Sequence, residues 1–423
     1  MQQSRRSIGC SMRAYSREAL AGKRVLVLGD YRQTVTVVRS LGRAGLRVYL
    51  GSRYPRSYTA RSRYVSRLWT YDADNGERFC DQLEAFLRLE QPDYVFVVGE
   101  SQLRRLIPHA DRFEPLATWI SPRWETVRRC FDKNEMYELA RALGIPTQPW
   151  EPFSDAATWR KSARIMGYPV VIKRRDSSAS IRGHKALIVH NEVQLDALIP
   201  GVERDPEPGS VLLQKFAPGV RHNCHIGASE GRLIAYFQQR VARTDELDQT
   251  GIGIEGVSVR PSDQLRGYCE RLAETLRYHG IGCIQFLVDA ASGRVAFLEI
   301  NPRMDSTAAL PYRLGLDYPR LALQLASQPA ACEPLPDSYR IGARYHWLYG
   351  DFFSWYDALR GRQRTTAQLA AWAARSAWVM MSSHHLTWDW RDPLPTLHAF
   401  WSKLAFTIRK RTLPSQPTKS GQA

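Results

Sequence analysis

The order of apolar and polar positions changes style along the chain. Near the start, Lys23-Arg24-Val25-Leu26-Val27-Leu28-Gly29-Asp30 is a continuous apolar run that ends in glycine. Such a run predicts a parallel strand buried on both faces. Val35, Val38, Leu41 and Leu46 then fall at helical spacing, and 46–50 and 92–99 read as further strands. Strand, helix and strand repeated over residues 23–125 predict an open parallel sheet with helices on both faces. No G-x-G-x-x-G follows the first strand, only Gly29-Asp30-Tyr31, so a dinucleotide cofactor is not supported there.

From residue 126 to 335 the pattern alternates short strands with capped helices. Asp132-Lys133-Asn134-Glu135 precedes Met136, Leu139, Ala140 and Leu143. This predicts an N-capped helix with Glu135 as the return partner of the cap, stopped at Gly144-Ile145-Pro146. Ser154 or Asp155 opens a second helix, which ends at Gly167-Tyr168-Pro169. Strands are predicted at 170–173, 186–189 and 211–216, and hairpins at 224–238 and 283–300. The polar stretch 174–183 and the Gly-rich stretch 243–257 are expected to be mobile without a ligand and ordered with one.

Past residue 335 the style changes again. Seven of the twelve tryptophans lie there, and the stretch is strongly basic. Residues 336–412 are read as a mainly helical extension, with a disordered basic start at 1–22 and a disordered tail at 413–423. Leu397, Phe400, Trp401, Leu404, Ala405 and Ile408 share one helical face in 395–411, followed by Arg409, Lys410 and Arg411. That face is expected to pack on the core or on a second subunit, or to lie at an anionic membrane surface.

Composition narrows the classes. The formal charge of +17 over 423 residues points to an acidic partner, but no nucleic-acid recognition module accompanies it. No apolar run reaches the length of a spanning helix. Seven scattered cysteines without a C-x-x-C pair argue against a disulfide scaffold or a cysteine zinc site, and favour a reducing cytoplasm.

The sharpest chemical feature is Phe297-Leu298-Glu299-Ile300-Asn301-Pro302-Arg303. On a strand Glu299 and Asn301 emerge from one face, inside an otherwise apolar run. Gln285 interrupts the preceding strand in the same way. A carboxylate and two amide oxygens on one face are hard ligands suited to magnesium, although Glu299 paired with a structural arginine explains the pattern equally. Arg303 is placed to fork to a phosphate. Lys173 stands at a strand end before Ser177-Ser178-Ala179-Ser180, as a phosphate-binding lysine would, or as a plain surface lysine. Lys133 taken alone reads as a solvated first-turn residue. His222, His225 and His279 read as structural.

Taken in order, Asp132-Lys133, Gly144-Ile145-Pro146-Thr147, Pro169-Val170-Val171-Ile172-Lys173, Leu213-Gln214-Lys215-Phe216-Ala217-Pro218-Gly219, Ile284-Gln285-Phe286 and Glu299-Ile300-Asn301-Pro302-Arg303 resemble the ATP-grasp superfamily. The likeness spans about residues 24–325 and is strongest to the carbamoyl-phosphate-synthetase large-subunit type of carboxylate–amine ligase. It implies an α/β preATP-grasp domain and then a two-lobed α+β ATP-grasp domain. It implies ATP held by Lys133, Lys173, Ser178 and the strand Gln214-Lys215-Phe216, with magnesium or manganese on Gln285, Glu299 and Asn301. Arg303 and Lys173 would be catalytic. The activity implied is activation of a carboxylate as an acylphosphate and its joining to an amine. The alternative is an accessory protein of the same fold, at a membrane surface, with little turnover. A homodimer is compatible with either. The flap is poorer in glycine than usual, and Val220-Arg221-His222-Asn223 stands where an acidic ribose ligand is usual. The resemblance, with one such unit where that activity needs two, implies that carbamoyl phosphate synthesis is not the reaction.

Overall fold

The computed structural model describes residues 20–176, 180–246, 250–329, 332, 334–336, 338–361 and 364–412, with 406–412 by backbone alone. Most of the start and all of the tail read as disordered lie outside them.

The apolar run near the start forms β1 (Arg24–Leu28), and its neighbours are β2 (Arg47–Ser52), β3 (Val65–Thr70), β4 (Tyr94–Val97) and β5 (Thr118–Ile120). All pair parallel in the order β3-β2-β1-β4-β5. Helix α1 (Thr34–Arg43) packs its Val37, Val38 and Leu41 against one face, and α2 (Gly76–Glu90) packs Phe79, Leu83 and Leu87 against the other. The strand order reverses between β1 and β4. The loops after these two strands, 29–33 and 98–99, therefore diverge and leave a crevice, into which α3 (Glu100–Leu106) brings its first turn.

The middle of the chain makes two lobes. The first is a four-stranded sheet, β6 (Trp150–Pro152), β7 (Val170–Arg174), β8 (Ala186–Val189) and β9 (Val211–Lys215), ordered β6-β9-β7-β8. It is backed by α5 (Ala156–Met166) and α6 (Glu192–Glu203) through a core that includes Trp159, Ile172, Leu195 and Leu213. Helix α4 (Lys133–Ala142) leads into this lobe. Asp132 caps it through the backbone N–H groups of Asn134 and Glu135, at 3.0 and 3.3 Å. The expected return contact from Glu135 is not made, because its carboxylate pairs with Arg129 instead. Of the two candidate caps for α5, Asp155 is the one used, accepting from Thr158 N at 2.8 Å.

The second lobe is a seven-stranded sheet. It holds β10 (Val220–Ser229), β11 (Arg232–Thr244), β12 (Gly253–Ser258), β13 (Gly280–Val288) and β14 (Val295–Asn301), with β15 (Arg344–His346) and β16 (His384–His385) from the C-terminal region. The order is β14-β13-β10-β11-β12-β15-β16. Helices α7 (Asp263–Thr275) and α8 (Tyr318–Ser327) pack on it.

The Gly-rich stretch read as a mobile loop is a loop only in part. From Gly253 onward it is a buried strand between β11 and β15. Its glycines are needed for packing. A Cβ at Gly256 would lie 2.3 Å from the Tyr345 ring, and one at Gly253 would lie 2.7 Å from its hydroxyl. The glycines clear room for Tyr345 to lie flat on the sheet.

The basic C-terminal region is helical as expected, with α9 (Leu348–Arg360), α10 (Thr366–Ser382) and α11 (Leu394–Thr412). It also adds β15 and β16 to the main sheet and is locked there by buried charge. Asp351 accepts from Arg243, His346, Trp372 and Ser376, and Glu255 is surrounded by Arg243, Arg344 and Arg375. The apolar face of α11 is divided. Phe400 packs on Tyr349, Phe352 and Phe353 of α9, while Leu397, Trp401 and Leu404 are exposed. The side chains of Ile408, Arg409, Lys410 and Arg411 lie outside the described residues. Among those residues no helix is long and apolar enough to cross a membrane.

Candidate active site

The two lobes enclose a cleft of about 300 Å³. One end is apolar, lined by Val171 and Ile188 from the small sheet, by Phe216, and by Leu287 and Leu298 from the large one. Gln214, Lys215 and Phe216 also border this end. The Gln214 amide donates to the Gln148 carbonyl at 3.4 Å and Lys215 Nζ to the Gly167 carbonyl at 2.7 Å. Both polar side chains are therefore engaged by the lobe's own backbone, and what the segment presents here is chiefly apolar.

The other end is charged. Lys173 reaches the cleft from β7 and is buried. Its Nζ donates to Tyr137 Oη at 2.6 Å, and that hydroxyl donates to the Leu298 carbonyl at 3.1 Å. Burial, and then the nearby Lys133 cation, push the Lys173 pKa down to about 7. Lys133 is also buried rather than solvated, because α4 is pinned against β14. Its Nζ lies 3.7 Å from Glu299 Oε2.

Glu299 sits directly across the hairpin from Gln285, and Asn301 is two residues on, so the three share a face as the alternation predicts. Asn301 Nδ2 donates to Glu299 Oε1 at 3.1 Å. Burial alone would raise the Glu299 carboxyl. Lys133, the Asn301 amide, Lys173 and Arg303 outweigh it and hold the group below the ordinary range. The residue ion-paired with Glu299 is thus a lysine, not the structural arginine of the alternative reading. Arg303 Nη2 lies 3.3 Å from both Asn301 Oδ1 and Glu100 Oε2, which ties the metal-type face to the crevice of the parallel sheet.

The base of the flap is held from two sides. Arg175 forks to Asp132, and Asp176 pairs with Arg104 of α3 at 2.6 Å. Ser178 lies outside the described residues. The three histidines are engaged away from the cleft: His222 with Gln238, His225 with Gln239, and His279 with Glu230 and the Leu325 carbonyl. Sequence reading missed Tyr137 and Glu100. Glu100 follows Gly99 at the end of a parallel strand, which is the signal that marks such crevices.

Comparison with known proteins bears on the middle of the chain. Residues 138–309 match the family profile described as the ATP-grasp domain. The chain carries an ATP-grasp domain. It is 25% identical over 242 residues to the arginine-specific large chain of carbamoyl phosphate synthase from Bacillus subtilis, covering 56% of this chain and 23% of that one. It is 26% identical over 220 residues to biotin carboxylase from Pseudomonas aeruginosa, covering 50% of this chain and 48% of the relative. The chain thus spans less than half the length of these relatives. Among solved structures, biotin carboxylase from Campylobacter jejuni superposes with a TM-score of 0.62 at 17% identity, over 77% of this chain and 75% of that one. This last likeness concerns the fold.

Proposed function

We propose that the chain is an ATP- and magnesium-dependent ligase that activates a carboxylate as an acylphosphate and joins it to an amine. One observation carries this reading: the apolar slot of the cleft ends at Lys173, which lies beside Lys133 and Glu299, and Glu299 shares a face with Gln285 and Asn301 next to Arg303. The apolar slot fits a purine, and the charged end fits a polyphosphate. One carboxylate and two amides are hard oxygen donors of the kind magnesium takes, and manganese would also be accepted. A magnesium ion there would neutralise phosphate charge as it develops.

The chain's own share is alignment. Lys133 and Lys173 cancel phosphate charge from one side and Arg303 from the other, so a substrate carboxylate can approach the terminal phosphorus. Closure of the flap over this end would exclude water, which would otherwise hydrolyse an acylphosphate. The test is ADP release by the full chain on adding a panel of carboxylates and amines. Release that needs both a carboxylate and magnesium supports the reading. No magnesium-dependent nucleotide binding and no ADP from any member would sink it.

The exposed row Leu397, Trp401 and Leu404 on α11 favours a second, separate reading of this edge as a contact surface, for an anionic membrane or a second subunit. Co-sedimentation with anionic vesicles at low salt, set against the mass in solution, distinguishes the two.

A further inference from the structure

One face of the large sheet carries more polar side chains than the magnesium-type ligands use. Directly opposed residues share a face, so the pairing sets Glu299, Gln285, Asn223 and Gln239 in one row across β14, β13, β10 and β11. Asn301, Cys283 and His225 form the next row. Asp305 meets this second row from the loop after β14. Its Oδ1 accepts from the Thr307 backbone N–H at 2.8 Å and from the Thr307 hydroxyl. His225 Nε2 and Asp305 Oδ1 stand 4.0 Å apart. Together with Cys283 Sγ, the three groups bring one ligand atom each within 4.8 Å of one another. All three residues are buried, and the rings of Phe237 and Tyr318, at 5.8 and 6.0 Å, hem in the imidazole.

The gap between His225 and Asp305 is too long for a hydrogen bond, and Cys283 is a free thiol. Ligand atoms on one zinc ion, each at about 2.0–2.3 Å, stand roughly 3.3–3.8 Å apart, so closure by about 1 Å or less brings all three onto an ion. Two buried oxygens beside the group make a second, independent observation. Asn223 Oδ1 and Gln239 Oε1 have no donor among the described residues, although both amide nitrogens reach Thr307 Oγ1. Native structures seldom leave buried acceptors unmatched. Gln239 Nε2 also donates to His225 Nε2 at 2.8 Å. Turning that amide over presents its oxygen at the same point, as a fourth ligand. Charge agrees with this set. A thiolate, a carboxylate and a neutral imidazole around a divalent ion sum to zero, the least costly total in a buried place. The thiolate favours zinc over magnesium, which separates this group from Gln285, Glu299 and Asn301.

We propose that His225, Cys283 and Asp305 form a zinc site, completed by Gln239. The site is independent of the ligase reading, since no nucleotide takes part in it. Its ligands come from segments far apart in the chain, so no Cys or His spacing in the sequence marks it. Binding forms bonds from zinc to nitrogen, sulfur and oxygen, and the Cys283 thiol proton passes to solvent. The ion ties β10 and β13 to the loop that follows Arg303, with Asn301 directly across from Cys283. It therefore braces the backbone that sets both of those side chains, and its role is positioning.

The test is metal binding by the full chain without nucleotide. The chain, reduced and stripped with a chelator, is titrated with cobalt(II) in excess magnesium, and cobalt serves as a coloured stand-in for zinc. One cobalt ion per chain should bind, with a thiolate-to-cobalt charge-transfer band and the visible bands of a tetrahedral ion. Zinc should abolish both, and should raise the melting temperature of the parent chain. Cys283→Ser should lose the charge-transfer band and weaken zinc by about a hundredfold or more. Cys80→Ser, in the parallel-sheet domain, should behave as the parent does. Asp305→Asn should keep the band but bind zinc about tenfold or more weakly. The proposal is overturned if the parent shows no thiolate band in excess magnesium, if zinc does not displace the cobalt, or if Cys283→Ser keeps the band. Should Cys283→Ser fail to fold, Asp305→Asn decides, and zinc affinity equal to the parent's overturns the proposal. Failure of the nucleotide to bind in separate experiments would sink the ligase reading and leave this one standing.

Discussion

The two ends of the cleft are built on opposite principles. At the apolar end, Val171, Ile188, Phe216, Leu287 and Leu298 line a slot whose polar neighbours, Gln214 and Lys215, are satisfied by the lobe's own carbonyls. That end is at rest without a ligand. At the charged end two lysines are buried beside Glu299, and burial lowers both their pKa values. Gathering like charge in a low-dielectric place is costly, and the cost is relieved only when an anion arrives. The apolar end is therefore suited to supply affinity that does not depend on protonation. On the proposed ligase reading, the charged end would couple binding, proton uptake and chemistry.

The largest expected effect breaks the charged end outright. Glu299→Ala removes the one carboxylate of the metal-type face and its ion pair with Lys133. Magnesium-dependent ADP formation should fall by about a thousandfold or more. Circular dichroism should stay that of a folded chain, because the residue contributes little to either hydrophobic core. Ordinary turnover in a folded variant would mean that the metal is held elsewhere.

Lys173 gives the next effect, and it reads the coupling directly. With a pKa near 7 it is largely neutral at pH 8, and a bound polyphosphate raises that pKa again. Nucleotide binding at pH 8 should take up close to one proton per site, measured by calorimetry in buffers of different ionisation heat. Lys173→Met should abolish the uptake and weaken binding by about tenfold. The same group shapes stability. Between about pH 7 and its ordinary value of 10.5, the unfolded chain holds a proton that the folded chain has shed. Its contribution to stability therefore rises with pH through that window, and Lys173→Met should flatten the rise. Uptake that persists in the variant would assign the titration to another group.

The contrast between the two ends also explains what could be read from sequence. Glu299, Asn301 and Gln285 were legible because a strand alternates, and a polar residue inside an apolar run is conspicuous on a single short segment. The parallel sheet was legible from uninterrupted runs such as 24–28, although the half-exposed β3 carries no clean alternation and was not read. Residues that enter the charged end from far away in sequence left no such mark. Tyr137 looks like an ordinary core aromatic of α4, and only the fold brings it to Lys173. Glu100 reaches the site from a separate sheet, through its contact with Arg303. The Gly253–Gly256 stretch was misread because glycine marks both flexible loops and places where a ring must lie on a sheet.

The smallest effect sharpens the comparison from the apolar side. The Phe216 backbone N–H donates to the Pro169 carbonyl at 3.2 Å, so truncating the side chain leaves the strand edge in place. Phe216→Ala removes apolar surface from the slot while touching no charged group of the site. Part of a phenylalanine's burial free energy is lost, which corresponds to about a tenfold rise in KM for ATP. The ligase reading puts the chemistry at the other end, so kcat should stay within about twofold. The proton uptake seen with the parent chain at pH 8 should also persist, since Lys173 is unaltered. KM and kcat then separate along the length of the cleft: substitutions at Glu299 lower kcat, and those at Phe216 raise KM alone. A fall in kcat for Phe216→Ala, or a loss of its proton uptake, would show that the two ends do not act independently and that the slot helps set the geometry of the phosphate end.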